Sequence, residues 1–444
     1  MDSRTVRTAG SQGGQIFPLA LPLLVLLGAC LWWVLDAAAA VSEKRRLTQA
    51  ADMAALSGAV WQARTLNFDA YMNRAIIANE AVIAQSVSLR SFVDYTGQLR
   101  QNSSVVITWV PFIGQALRVL ERAWSGLERG LTSGLVVLEA STSLVDHSLA
   151  AAQRSMHGGA FLAVPAIVKE RVAAIDPRYE ITDGGENALR LWQAAWPRFA
   201  SMYGGAFRWR QQDVLYRSLD GFTAERQFRW PGSNAWGFRI ERRGGTQLVN
   251  FETWRGVDTL SLHLRRYVFF GSMRERVPLG WGSAAINQIG TWPPRTSGFG
   301  DAYRVNPRAA RLADASYRPQ RGYLGLPSLF DLSVAQRQEF DPHPVTVRLR
   351  LPREKRRGAF GVMPIRLAHA NVEHSLVFSD NDFFADASAS VWFARAEERA
   401  DRKIEKPNLF SPHWQARMRT VHPAERIAMA IADSTPLGFA GAAP

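Results

Sequence analysis

From Thr8 to Leu35 the chain carries no charged side chain, and Ile16 to Leu35 is almost wholly apolar. As a helix, those roughly twenty residues would be about 30 Å long, the thickness of the hydrocarbon core of a bilayer. Trp32 and Trp33 lie near the end of the run, where amphipathic rings suit a membrane interface. Asp36 follows at once and would sit near the headgroups. Pro18 and Pro22 fall in the first turns, where a missing backbone donor costs least. Ala38-Ala39-Ala40 offers an A-x-A-like cleavage site, but the apolar run is longer than the about 7–15 residues of a signal-peptide core. The segment therefore reads as a retained single-pass anchor, a transmembrane helix over residues 15–41.

The flanking charge leaves orientation open. Arg4 and Arg7 precede the span, and Lys44, Arg45 and Arg46 follow it. The excess after the span is a single charge, which the N-terminal amine offsets. Past the membrane there is no proline from Val41 to Gln101, and Ala, Leu, Glu, Gln and Arg dominate. Leu47, Ala51, Ala54, Ala55, Gly58 and Trp61 recur at three-to-four spacing, which predicts a helix with a stripe of small residues over 42–101. Such a stripe lets another helix approach closely. The expected packing residues are Asp36, Ala51, Ala54, Ala55 and Gly58. The stripe serves either a stalk packed against neighbouring subunits or a helix packed on its own domain, and Gly58 and Asn67 are candidate break points.

Two stretches resemble a known family. Gly13-Gly14-Gln15 precedes the apolar run, which ends at Leu35-Asp36, and Gln49-Ala50-Ala51-Asp52-Met53-Ala54-Ala55-Leu56-Ser57-Gly58-Ala59 follows. This order resembles the N-terminal region of TadE/TadG-like proteins of the bacterial tight-adherence (Flp) pilus system: a glycine-ended leader, an apolar helix with a terminal aspartate, and a QxAADxAALAGA-like run. Lys406-Pro407-Asn408-Leu409-Phe410-Ser411-Pro412-His413-Trp414-Gln415-Ala416-Arg417 is similar to a C-terminal segment of large TadG-like proteins. The resemblance implies a cytoplasmic leader over 1–14, an inner-membrane anchor and a periplasmic bulk. It also implies a minor pilin-like assembly role, with other pilus or secretion-machine subunits as partners and homo-oligomers among the assemblies. One position departs from the pattern. Processed pilins of this system carry a glutamate at the fifth residue after the leader glycine, where this chain has Leu19 (counting from Gly14) or Pro18 (from Gly13).

The remaining sequence predicts an α+β protein: a helical region over 102–204, a β-rich antiparallel head over 205–434 and a flexible tail over 435–444. Leu117, Leu120, Trp124, Leu127 and Leu131 keep helical spacing. Apolar-polar alternation begins near Phe207 and recurs at Phe228–Trp230, Trp236–Ile240, Val345–Leu351 and Ala387–Phe393, with turn signals between. Gly and Pro are dense near 291–330, which predicts a long loop.

The chain has 444 residues, 47% hydrophobic and 21% charged, the composition of a folded protein, and a net charge of +14 spread without a long basic run. Its one cysteine, Cys30, permits no internal disulfide. Asp386-x-Ser388-x-Ser390 spells a metal-adhesion signature but stands too near the C-terminus for the domain that signature opens. His369 and His374 have an unsuitable spacing for an inverted zinc motif. No P-loop, G-x-S-x-G elbow or H-E-x-x-H occurs. No enzyme, metal or cofactor is expected. Arg208, Trp209, Arg210, Arg229 and Trp230 interleave cations and rings. They define an alternative function, a tethered module that binds an anionic polymer (DNA or cell wall) through an Arg/Trp strand face; nucleic acid is the less favoured target.

Overall fold

The computed structural model describes residues 16–107, 113–204, 208–230, 238–268, 271–288, 302–333, 336, 340, 342–356, 382–395, 397 and 401–434. The leader residues Gly13, Gly14 and Gln15, the His369–His374 motif and the tail 435–444 lie outside them.

One helix organises the chain. α1 (Ile16–Ile107) runs unbroken from the apolar segment through Gly58 and Asn67, so neither interrupts it. α2 (Ile113–Ile175) returns antiparallel along it. The pairing is visible in the partners, Asp69 with His157 and Arg90 with Glu139. Buried positions of α2 recur at 139, 143, 146, 150, 153, 157, 160 and 164, a seven-residue repeat of the kind that keeps two helices in continuous register.

Two sheets pack against α1 at different heights. The first has the order β1 (Glu180–Ile181), β9 (Val345–Leu351), β10 (Phe383–Phe393) and β11 (Trp414–Arg419). It covers the part of α1 nearest the span, where Leu47, Ala51, Ala55 and Leu66 share one core with Val347, Ala387, Val391 and Trp414. The second runs β3 (Glu225–Trp230), β4 (Phe238–Val249), β5 (Thr253–Val268), β6 (Gly271–Asn287) and β7 (Pro319–Arg321), antiparallel except for β6 with β7. It covers the far part of α1, where Ile76, Ile83 and Val87 meet Leu248, Trp254 and Ile286. The close approach depends on Gly282, whose backbone leaves room for α1: a Cβ there would lie 2.3 Å from the Ser91 carbonyl oxygen. A third pair, β2 (Ala200–Met202) with β8 (Phe330–Leu332), bridges the two cores.

Short helices complete the fold. α3 (Asp183–Phe199) is capped by Thr182, whose hydroxyl accepts from the Gly185 amide, and it buries Trp192, Trp196 and Phe199. Next come α4 (Arg208–Ser218), α5 (Gly221–Ala224), α6 (Ala302–Val305), α7 (Pro307–Ala315) and α8 (Pro423–Ser434).

The fold is α+β, with a long apolar N-terminal helix, further helices and antiparallel sheets. Three expectations change. Residues 42–101 are helical, but they form the buried axis of the folded body, because both sheets and α2 cover them. The helical and β-rich regions do not separate at residue 204, because β1, drawn from the helical part, hydrogen-bonds to β9. Within the Gly/Pro-rich stretch, 302–315 is helical; Pro307 begins α7, where its missing N–H costs nothing.

Candidate assembly surfaces

The apolar stretch of α1 stands clear of the body. Leu23, Leu24, Val25 and Leu26 are all more than 60% exposed, while the first core residue, Glu43, follows only a few turns later. By length and hydropathy the helix can cross a membrane, with none of its most apolar window buried. Cys30 lies in this stretch and is exposed. Asp36 is partly buried.

The small-residue stripe faces inward. Ala51, Ala54 and Ala55 are fully buried. Gly58 is wedged between α2 and β9: a Cβ there would meet Val345 Cγ1 at 2.9 Å, Val168 Cγ2 at 3.1 Å and Val164 Cγ1 at 3.3 Å. The stripe therefore serves packing inside the chain, the second of the two readings of its spacing. Next to it, Arg178 at the foot of α2 binds Glu43 at 2.8 Å and Asp176 at 2.8 Å, tying the end of the helical hairpin to the base of the span.

Farther along, the α1–α2 seam is polar. His157 Nδ1 and Asp69 Oδ2 are 3.1 Å apart. Gln153 donates to Asn73 Oδ1 at 2.8 Å and to the Asp69 carbonyl at 3.0 Å. Asn79 donates to Asp146 at 2.7 Å, and Arg90 to Glu139 at 2.6 Å. Glu80 of α1 accepts from Trp254 Nε1 at 2.6 Å and from the Tyr323 hydroxyl at 2.9 Å. Burial pushes Glu80 up to about 8, against the pull of the Trp254 hydrogen bond. It pushes Glu139 up to about 7 against Arg90, and Asp146 up to about 7 against Asn79. Each of these side chains makes at least one specific polar contact, so the seam fixes the register of the hairpin as apolar contacts alone would not.

The C-terminal segment that resembles TadG-like chains closes on this helix. The Asn67 side chain donates to the Trp414 carbonyl at 2.9 Å and accepts from the Trp414 amide at 3.0 Å, pairing with it as a strand neighbour would. Asn73 donates to the Leu409 carbonyl at 2.6 Å and to the Phe330 carbonyl at 2.7 Å. Sequence spacing gave no sign of these contacts, because single asparagines within a helical run look like solvent-facing residues.

The Arg/Trp group is divided between elements. Arg208, Trp209 and Arg210 open helix α4, so they do not alternate on a strand; successive helical side chains diverge around the axis. Arg208 is turned inward, donating to the Leu326 carbonyl and lying 4.5 Å over the Phe251 ring. Arg210 covers Trp209 at 5.4 Å. Arg229 and Trp230 lie on edge strand β3; Arg229 reaches Glu241 at 3.6 Å, and Trp230 is about half exposed beside Phe238.

Asp386 of the metal-like signature binds Arg348 at 3.1 Å and Arg426 at 3.2 Å, and Ser388 shares a hydrogen bond with Thr346 at 3.0 Å. Those bonds are internal to sheet and helix packing. Among the described residues, no group of three or more His, Cys, Asp or Glu side chains is arranged to hold a metal ion.

Comparison with known proteins gives one match. Residues 14–63 fit a family described as putative Flp pilus-assembly TadE/G-like. No curated protein and no solved structure matches the chain.

Proposed function

We propose that this TadE/G-like chain is a membrane-anchored structural component of a Flp-type pilus assembly system, minor pilin-like and acting through protein contacts and not catalysis. Its bulk would lie in the periplasm, held to the inner membrane by a single pass. One observation carries the reading. Of the matched segment, 14–63, the described residues 16–63 are a single stretch of helix that begins in the exposed apolar span and ends inside the core formed with α2 and the β9–β10–β11 sheet. Span and body are therefore joined without a flexible linker, so a force or displacement applied to the body is delivered to the membrane helix. That coupling suits an assembly part. Other pilus or secretion-machine subunits are its partners. The anionic-polymer reading gains nothing from the geometry, since Arg208 and Arg229 make internal contacts.

The test is a periplasmic-only reporter fused after Pro444, combined with mass spectrometry of the mature N-terminus. A periplasmic C-terminus and an intact leader are expected, because neither Pro18 nor Leu19 supplies the acid that leader cleavage uses. A cytoplasmic C-terminus would overturn the assignment.

A further inference from the structure

Over its middle part, between Gly130 and Leu162, the side of α2 that faces away from α1 is almost free of charge. There, Glu139 and Asp146 are buried in the seam, and Arg154 is the one lysine, arginine or acidic residue left on the outer half. The outer residues fall into three rows, each with a seven-residue repeat. The central row is Gly134, Ser141, Ser148 and Ser155, small throughout. Beside it on one flank run Leu131, Leu138 and Val145; on the other run Val137 and Leu144, of which Val137 is 68% and Leu144 61% exposed. A low row between two aliphatic ridges accepts a second helix at close range. At its upper end the face continues as an open apolar surface of Gly126, Gly130, Leu131, Gly134 and Leu135.

We infer that this face pairs with the same face of a second copy of the chain. Self-pairing fits the chemistry, because a two-fold interface sets the same face of each copy against the other, and rows of Ser, Gly, Leu and Val meet without like-charge repulsion. Area fits as well. The face is about 50 Å long and about 11 Å wide. That amounts to about 550 Å² per copy or about 1,100 Å² in all, above the roughly 1,000 Å² a specific pair requires. The seven-residue repeat matches a helix crossing shallow enough to keep contact along this length. Because each copy's α1 would enter the membrane in the same sense, the two α2 helices run parallel. This last step rests on the proposed anchoring; pairing of the face with itself does not.

The test uses the full chain with Cys30→Ser, which leaves it without cysteine, and single cysteines placed by Ser141→Cys, Ser148→Cys, Ser155→Cys, Ser133→Cys or Arg154→Cys. All five positions are exposed, so folding is not at stake. Mild oxidation of the detergent-solubilised protein, and separately of native membranes, is read as disulfide-linked dimer. High yields at 141, 148 and 155 and at least fivefold lower yields at 133 and 154 are expected. A dimer at only one central position indicates an antiparallel pair and overturns the parallel arrangement. Equal yields at all five positions, no dimer, or linkage solely to a different protein in membranes overturns the self-pairing. Ser148→Lys should abolish the dimer in sedimentation; an unchanged dimer overturns the face. A cytoplasmic C-terminus in the reporter assay would sink the anchoring while leaving the central-row pattern intact.

Discussion

Replacing Glu80 by Gln should make the protein less sensitive to pH, with the difference growing as pH rises. Glu80 is fully buried, accepts from Trp254 Nε1 and Tyr323, and is pushed from 4.5 to about 8 by burial, with Asp146 adding to the rise. A carboxyl raised in the folded state keeps a proton that the unfolded chain releases. Its effect is absent below about pH 4.5, grows as pH climbs towards 8, and levels off above that. At about pH 7.5 the unfolded glutamate is favoured by roughly 3 pH units' worth of proton release, or about 4 kcal/mol at 1.36 kcal/mol per unit. Gln preserves the shape, accepts from Trp254 and donates to Tyr323, and has no proton to lose. With an unfolding entropy near 2.1 cal/mol/K for each of roughly 350 ordered residues, 4 kcal/mol corresponds to a rise in Tm of about 5 °C. The assay is thermal unfolding of both proteins in the same detergent from about pH 4.5 to 8. Asp146 and Tyr323, the titratable groups facing Glu80, are present in both, so the difference between the curves isolates Glu80. A difference that stays flat across this window, or shrinks as pH rises, would refute a buried neutral carboxyl.

Gly282→Ala should destabilise by about 3 kcal/mol, since its Cβ would overlap the backbone of Ser91 and Tyr95, whereas Gly204→Ala, open on all sides, should be neutral; urea midpoints check both. Arg90→Met should cost about 3–5 kcal/mol by stranding Glu139, and adding Glu139→Met should restore most of it in the same unfolding assay. Leu24→Arg should weaken membrane insertion by about 2.5–3.5 kcal/mol, seen as a larger carbonate-extractable fraction.

The parts of the fold that repeat locally were legible in the sequence. The twenty-residue apolar run, the absence of proline to Gln101 and the alanine spacing led directly to α1, and alternation over Val345–Leu351 and Ala387–Phe393 led to β9 and β10. Two local signals misled. Phe207 and Trp209 alternate for only three residues before Gln211–Tyr216 take helical spacing, so α4 was read as a strand. Pro307 read as a loop marker, although a proline at the first position of a helix is equally at home. What spacing could not convey was contact between distant parts. The same alanine stripe suits a lateral stalk or an internal axis, and only β9 and β10, some 290 residues later, decide between them. The outer face of α2 was overlooked for a related reason. The exposure of its leucines depends on which side of the helix α1 occupies, which spacing does not reveal.

The clamp between Asn67 and Trp414 has a consequence for the order of events in a growing chain. α1 precedes every other element described, yet its side-chain amides at Asn67 and Asn73 find partners in residues 414 and 409, far along the chain. Until the last β-strand arrives, Asn67 and the side of α1 that β11 covers stay open to water, although α2 already covers Asp69. A chain cut short before residue 409 would therefore leave that side of α1 uncovered and open to wrong contacts.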